Sequence, residues 1–316
     1  MAANVKPKQR HGIVRVDPGV LINLAAHKKK PGGVIAPGFK AHKALNLKFK
    51  GGKTIPNLSF RIVYLGAGGW PASDMASIDA ALSGALADPH LNNVMQQYYP
   101  GAPPISTTFL GSTKLTAAVG ATFTRDSVNP VLAGLIADGT LNGVNFDTTA
   151  ICLMLPPGIT LTTDAAGGVG KAKAKGDGDT LISSRKGLGG YHGSCHLGAT
   201  RVYFAVGVYS QFINGKPNGI PVWPDSWKNV CATFYHELNE IRTDPDIEDA
   251  IRNSNDALIG WYSDAKNGGE IGDIPMSEAG VNLRSVMVEV TLSNSVIAPI
   301  QLMWSNAVGG PEGPFG

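Results

Sequence analysis

The chain has 316 residues, of which 43% are hydrophobic and 16% charged, with 40 glycines and a formal net charge of +3. This is enough apolar material for one large domain or two modest ones, and the low charge and high glycine content exclude a coiled coil and a disordered chain. The charge is uneven: residues 1–60 hold twelve Lys and Arg against one acid, Asp17, and the remaining 256 residues hold fifteen against twenty-three Asp and Glu.

A basic arm, residues 1–56, is therefore expected ahead of a mildly acidic body, residues 57–316. Such an arm is either a solvated terminus or a segment that meets an anionic partner. Its scarcity of aromatics argues against base-stacking recognition of nucleic acid. The longest apolar runs, "GVLINLAA" and "VIAPIQLMW", fall short of the roughly 18–20 residues a membrane-crossing helix needs, so no membrane span is expected. The opening "MAANVKPKQRHG" has no apolar core of a secretory signal. The three cysteines, Cys152, Cys195 and Cys231, allow one disulfide at most and leave the compartment open.

In chain order, "KKKPGGVIAPGFK" and "KGGKTIPN" read as irregular, being rich in turn formers. "LSFRIVYLG", 58–66, reads as a buried strand. "SDMASIDAALSGALAD" follows as a helix with Ser73 as cap and Met75, Ile78, Leu82 and Leu86 on one face. "HLNNVMQQYY" predicts a second helix, and "NPVLAGLIADG" a third with Asn129 as cap and Gly139 at its end. "TAICLMLPPG", 149–158, is a second buried strand. Residues 163–190 read as a Gly- and Lys-rich surface loop. "TRVYFAVGVYS", 200–210, is a further strand, and Ser226–Thr243 a long helix with Val230, Phe234 and Ile241 as its stripe, stopped at "TDPD" by Pro245. "VMVEVTLS" and "PIQLMWSN" close the chain as strands. Strands interleaved with helices predict an α/β (α+β) fold with a mixed sheet.

The chemistry concentrates in "FYHELNEIRTDPD", 234–246. Residues four apart share a helix face, so His236 and Glu240 can reach one ion, with Glu237 beside them as general base. This is the geometry of the H-E-x-x-H zinc helix with a carboxylate in place of the second imidazole. The carboxylate adds negative charge, which weakens Lewis acidity and also admits divalent metals other than Zn2+. Two residues compete for a third ligand. Asp246 lies ten positions after His236, and Glu270 lies thirty beyond Glu240 in the Gly-rich "NGGEIGD". Glu270 is preferred, with Asp273 as an acceptor orienting His236. In "GGYHGSCHLG", 189–198, adjacent Cys195 and His196 point apart in any strand. His192, placed in a Gly-flanked loop, is a candidate transition-state stabiliser lining the cleft. Trp223, Trp227, Trp261 and Tyr262 either wall a cleft for a peptide or polysaccharide-like ligand or pack in the core. "GAGGWP" and "AAGGVGKA" lack the residues of nucleotide-binding loops.

The ordered set "GGYHG", "VYFAV", "HELNEIRTDPD" and "GWYSDAKNGGEIGD" resembles the EXORDIUM, or phosphate-induced, protein family. The resemblance runs loosely from Ile62 to Trp304 and is specific from Gly189 to Asp273. His236, Glu237 and Glu240 match the family's HELxE positions, and Thr243 and Pro245 its helix break. Asp244 stands where the plant pattern often has Asn. The resemblance implies a single zincin-like domain with a central metal-site helix, a divalent metal, and an extracellular location like that of the secreted plant proteins. The expected activity is that of a metal-dependent hydrolase, with a non-catalytic binding or signalling protein on the same scaffold, or an assembly protein using its basic arm, as alternatives.

Overall fold

In the computed structural model the residues described are 21–23, 33–163, 183–266 and 268–313. Most of the Gly- and Lys-rich segment and most of the basic arm lie outside them, as does any partner-binding role of that arm. The central sheet has five strands, β1 (Leu58–Tyr64), β2 (Thr107–Lys114), β3 (Thr149–Met154), β4 (Gly190–Leu197) and β5 (Thr200–Gly207), in the spatial order β2-β1-β3-β5-β4. Four strands run parallel and β4 returns antiparallel to β5 at the edge, so the sheet is mixed. Six α-helices are described: α1 (Ala72–Ala87), α2 (Pro89–Gln96), α3 (Val128–Ala137), α4 (Ser226–Thr243), α5 (Ile247–Asn253) and α6 (Asp273–Ala279). The α/β expectation matches this architecture.

Strand periodicity explains the layering, because successive side chains face opposite sides of a sheet. Phe60, Ile62, Tyr64, Cys152, Met154, Tyr203 and Ala205 face one core, shared with α1, α2 and α4. Val63, Ile151, Leu153, Phe204 and Val206 face the other, shared with α3. With both faces covered, the central strands read as near-continuous apolar runs, which is why strands were legible in 58–66 and 149–158, the second ending in the structure at Met154.

Helix α4 has the expected bounds and its stripe is fully buried at Val230, Phe234, Leu238 and Ile241. Its start is braced by Asn229, whose amide oxygen accepts the N–H groups of Val222 and Trp223. Its end is held by Arg242, buried among neutral oxygens and donating to Asn92 Oδ1 and the Pro56 carbonyl. Three details differ from expectation. Helix α1 starts at Ala72 behind Pro71, with no side-chain cap from Ser73. Helix α3 starts at Val128, directly after a 3-10 turn (Arg125–Ser127) that is capped by a reciprocal Thr124–Ser127 pair, and has no side-chain cap of its own, so Asn129 is not its cap. His192 lies in strand β4, "GYHGSCHL", rather than in a loop, because pairing with β5 supplies a ladder that its glycines do not advertise.

Residues 33–56 have little regular structure yet belong to the body. Leu45, Leu47 and Ile55 are buried in the main core, and Lys48–Phe49 pairs with Trp261–Tyr262. At the C-terminal end, Met287–Thr291 and Ile297–Gln301 form an antiparallel hairpin that places Gln301 in contact range of α4's chemistry. No helix among the described residues is long and apolar enough to cross a membrane.

Candidate metal centre

The HELNE turn of α4 lies beneath the edge strand β4. Tyr191 and Cys195 of β4 face the α3-side core, so the alternation turns His192 toward α4. The close approach needs a glycine: a Cβ on Gly190 would stand 2.6 Å from the Val206 carbonyl oxygen and 2.9 Å from Thr233 Cγ2. His192 Nδ1 consequently reaches Glu237 Oε2 at 3.2 Å and Glu240 Oε2 at 3.4 Å, while its Nε2 lies 3.4 Å from Glu270 Oε1. His236 Nε2 is 3.1 Å from the same Glu240 Oε2 and 3.7 Å from Asp273 Oδ1. The other oxygen of Glu240 accepts the N–H groups of Gly272 and Asp273 at 3.1 and 3.2 Å.

Among the described residues, two groups of side chains could thus hold a metal ion, His192–Glu237–Glu240 and His236–Glu240–Asp273, and Glu240 belongs to both. The donor set fits a divalent cation. Ligands bound about 2.0–2.1 Å from a tetrahedral ion stand about 3.3–3.4 Å from one another, close to the separations around Glu240. His192 Nε2 and Glu270 Oε1 are buried 3.4 Å from one another and have no hydrogen-bond partner, so each is offset chiefly by the other's charge.

The electrostatics follow from packing many carboxylates around two imidazoles. Burial alone would lower both His pKa values. The Glu270 charge, with hydrogen bonds to Glu237 and Glu240, instead holds His192 well above the usual range, and the Glu240 charge does the same for His236. Burial would raise Glu240, but the two imidazoles pull it well below the usual carboxylate range. Burial and the Glu240 charge push Glu270 well up, against the pull of His192. Burial likewise pushes Asp244 to about 7, opposed by its hydrogen bond from the Gly260 N–H. Asp273 is also raised to about 7, by burial and Glu240. Its side chain is 42% exposed, so water screens part of that push. Without a cation, then, the cluster holds protons that a cation would displace.

Of the residues singled out in the sequence, His192, His236, Glu237, Glu240 and Glu270 are brought together. Asp246 is not: its carboxylate accepts from Arg201 of β5 at 3.0 and 3.1 Å. The chain turns after Asp244, so it is Asp244 that is buried toward the cluster. Cys195 is buried on the opposite face of β4, and half-exposed His196 pairs with Asp249, so neither shares the centre. Trp223 is core, and Trp261 packs between Phe49 and Tyr98. Asp273 is near His236 Nε2, but the acceptor on His236 Nδ1 is Gln301 Oε1, at 2.8 Å. No local pattern marks Gln301, which lies 65 residues away in a strand.

No protein family's sequence model matches the chain, and no curated protein matches it. Among solved structures, the crystal structure of metalloproteinase-II from Bacteroides fragilis is similar over 68% of this chain at 12% identity, with a TM-score of 0.28. The match covers 48% of that structure's chain, about half its length. A likeness that weak carries no argument about this chain's activity.

Proposed function

We propose that this chain is a metal-dependent hydrolase of the zincin type, related to the EXORDIUM group, that acts on a peptide-like bond. The observation that carries the reading is the position of Glu240 Oε2, 3.1 Å from His236 Nε2 and 3.4 Å from His192 Nδ1. That arrangement concentrates buried negative charge where only a proton or a cation can offset it. His236, Glu240 and Asp273 would hold the ion, with His192 and Glu270 closing the opposite side. A divalent cation bound there supplies Lewis-acid polarisation of the scissile carbonyl and of water. Glu237 is the general base: its carboxylate takes the proton of the attacking water and returns it to the leaving amine. His192 Nδ1, 3.2 Å from Glu237 Oε2, holds that carboxylate in place.

Protein purified without chelator should contain a divalent metal at near-stoichiometric level by elemental analysis. Glu237→Gln should abolish turnover of a fluorogenic peptide library and leave metal content unchanged, a loss on the order of 100-fold or more for a general base. Metal-free wild-type protein sinks the metal centre, and turnover that survives Glu237→Gln sinks the base.

One observation favours a second reading, a non-catalytic binding protein on the same scaffold. Glu237 is only 5% exposed and is covered by His192 at 6%. Stoichiometric metal combined with no turnover of any peptide in the library selects that reading.

A further inference from the structure

We propose that Gln301 is a positioning residue that locks His236 in its Nδ1–H tautomer and so aims the Nε2 lone pair at Glu240 and Asp273. The consequence for cation affinity rests on the metal-centre reading above, whereas the tautomer follows from hydrogen bonding alone. Gln301 ends the strand Ile297–Gln301, and its side chain is buried, with 3% exposure. Its Nε2 donates to the Gly272 carbonyl at 2.7 Å. A carbonyl can only accept, so the amide group facing Gly272 must be the NH2. The amide oxygen then faces His236 Nδ1 at 2.8 Å, and because that oxygen can only accept, Nδ1 must carry the hydrogen.

The orientation of Gln301 is thus dictated by backbone, not by the ring it orients. The same peptide segment holds both members of the pair, since the Gly272 carbonyl fixes Gln301 while the Gly272 N–H fixes Glu240 Oε1. Gly272 can lie flat against the imidazole only without a side chain, as an added Cβ would stand 2.5 Å from His236 Nδ1. A neutral imidazole with its proton on Nδ1 presents a lone pair at Nε2, which faces Glu240 Oε2 at 3.1 Å and Asp273 Oδ1 at 3.7 Å. Three electron-rich atoms converge there, which is a cation's place. Without Gln301 the ring is free to take the Nε2–H tautomer, donate to Glu240 and turn its lone pair away.

The test uses the full-length protein, with Gln301→Leu and Gln301→Glu beside wild type. Gln301→Glu keeps an acceptor for Nδ1 and serves as the folded control for a leucine variant that loses both hydrogen bonds. In metal-free protein, long-range 1H–15N correlation spectra, taken at a pH alkaline enough to neutralise the ring, should report the Nδ1–H tautomer in wild type and in Gln301→Glu. They should report Nε2–H, or a mixture, in Gln301→Leu. Zn2+ affinity, read by competition with a chromophoric chelator, should fall about 10–100-fold in Gln301→Leu, the range for loss of a partner that orients a metal-binding histidine. It should fall much less in Gln301→Glu. A wild-type Nε2–H tautomer overturns the proposal, as does a Gln301→Leu variant that keeps both the Nδ1–H form and wild-type Zn2+ affinity. If wild type binds no Zn2+, the metal-centre reading fails and the tautomer comparison alone decides the role of Gln301.

Discussion

Glu240 is the residue on which the centre turns. One of its oxygens is held by two backbone N–H groups and the other faces two imidazoles, so its carboxylate has no freedom to leave. Asp244 shows the cost of crowding acids. It is fully buried, accepts one N–H from Gly260 through Oδ1, and leaves Oδ2 without a partner. Its folded pKa of about 7 stands above the value of about 3.9 expected in the unfolded chain. Between those values the folded state keeps a proton the unfolded state has lost, so Asp244 lowers stability progressively as pH rises from about 4 to 7. The amide of Asp244→Asn still accepts from Gly260 and does not titrate. In chelator-treated protein its thermal midpoint should exceed that of wild type at pH 8, by an amount on the order of a few degrees, and the gap should close toward pH 4. A gap that stays constant across this range means that Asp244 is not the titrating group.

The centre depends on how closely two elements approach. Strand β4 and helix α4 meet where Gly190 and Gly207 leave no side chains between them: a Cβ on Gly207 would stand 2.8 Å from Phe234 Cε2. Gly190→Ala would force the strand off Thr233 or the ladder off Val206, a small-to-large change in a packed interior that costs about 1–3 kcal/mol. The displacement also carries His192 away from Glu237 and Glu240. Denaturant unfolding should show the lower stability, and Zn2+ affinity should fall with it. Unchanged values for both would mean that the edge strand adjusts freely. The helix itself was legible, because its stripe and its Pro245 stop are local signals. Strand β4 was not, because glycine and histidine carry little strand propensity and only β5 makes the segment extended.

Across the whole molecule, the body begins before the sequence pattern indicated. Residues 33–56 look like part of the basic arm, yet Leu45, Leu47 and Ile55 are buried in the main core and the Ile55 N–H donates to the Arg242 carbonyl at the end of α4. Each such aliphatic side chain contributes about 1.5–3 kcal/mol by burial. Removing residues 1–56 should therefore destabilise the protein strongly rather than trim a tail, which circular dichroism melting will read. A truncated chain that melts within a few degrees of the full-length protein would show that this segment is dispensable.

The sequence by itself determined the α/β class, the bounds of α4 and the pairing of His236 with Glu240, because apolar periodicity and the i,i+4 spacing on a helix are local properties of the chain. It also put Glu270 forward, through a glycine-rich stretch that leaves room for close approach. Tertiary structure alone decided the rest. It placed Asp246 against Arg201, made β4 a strand whose alternation aims His192 at α4, and brought Gln301 to His236 across 65 residues. These contacts depend on which strand lies at the sheet's edge and which loop carbonyl faces a buried amide. Both are fixed by long-range packing, which no short stretch of sequence encodes.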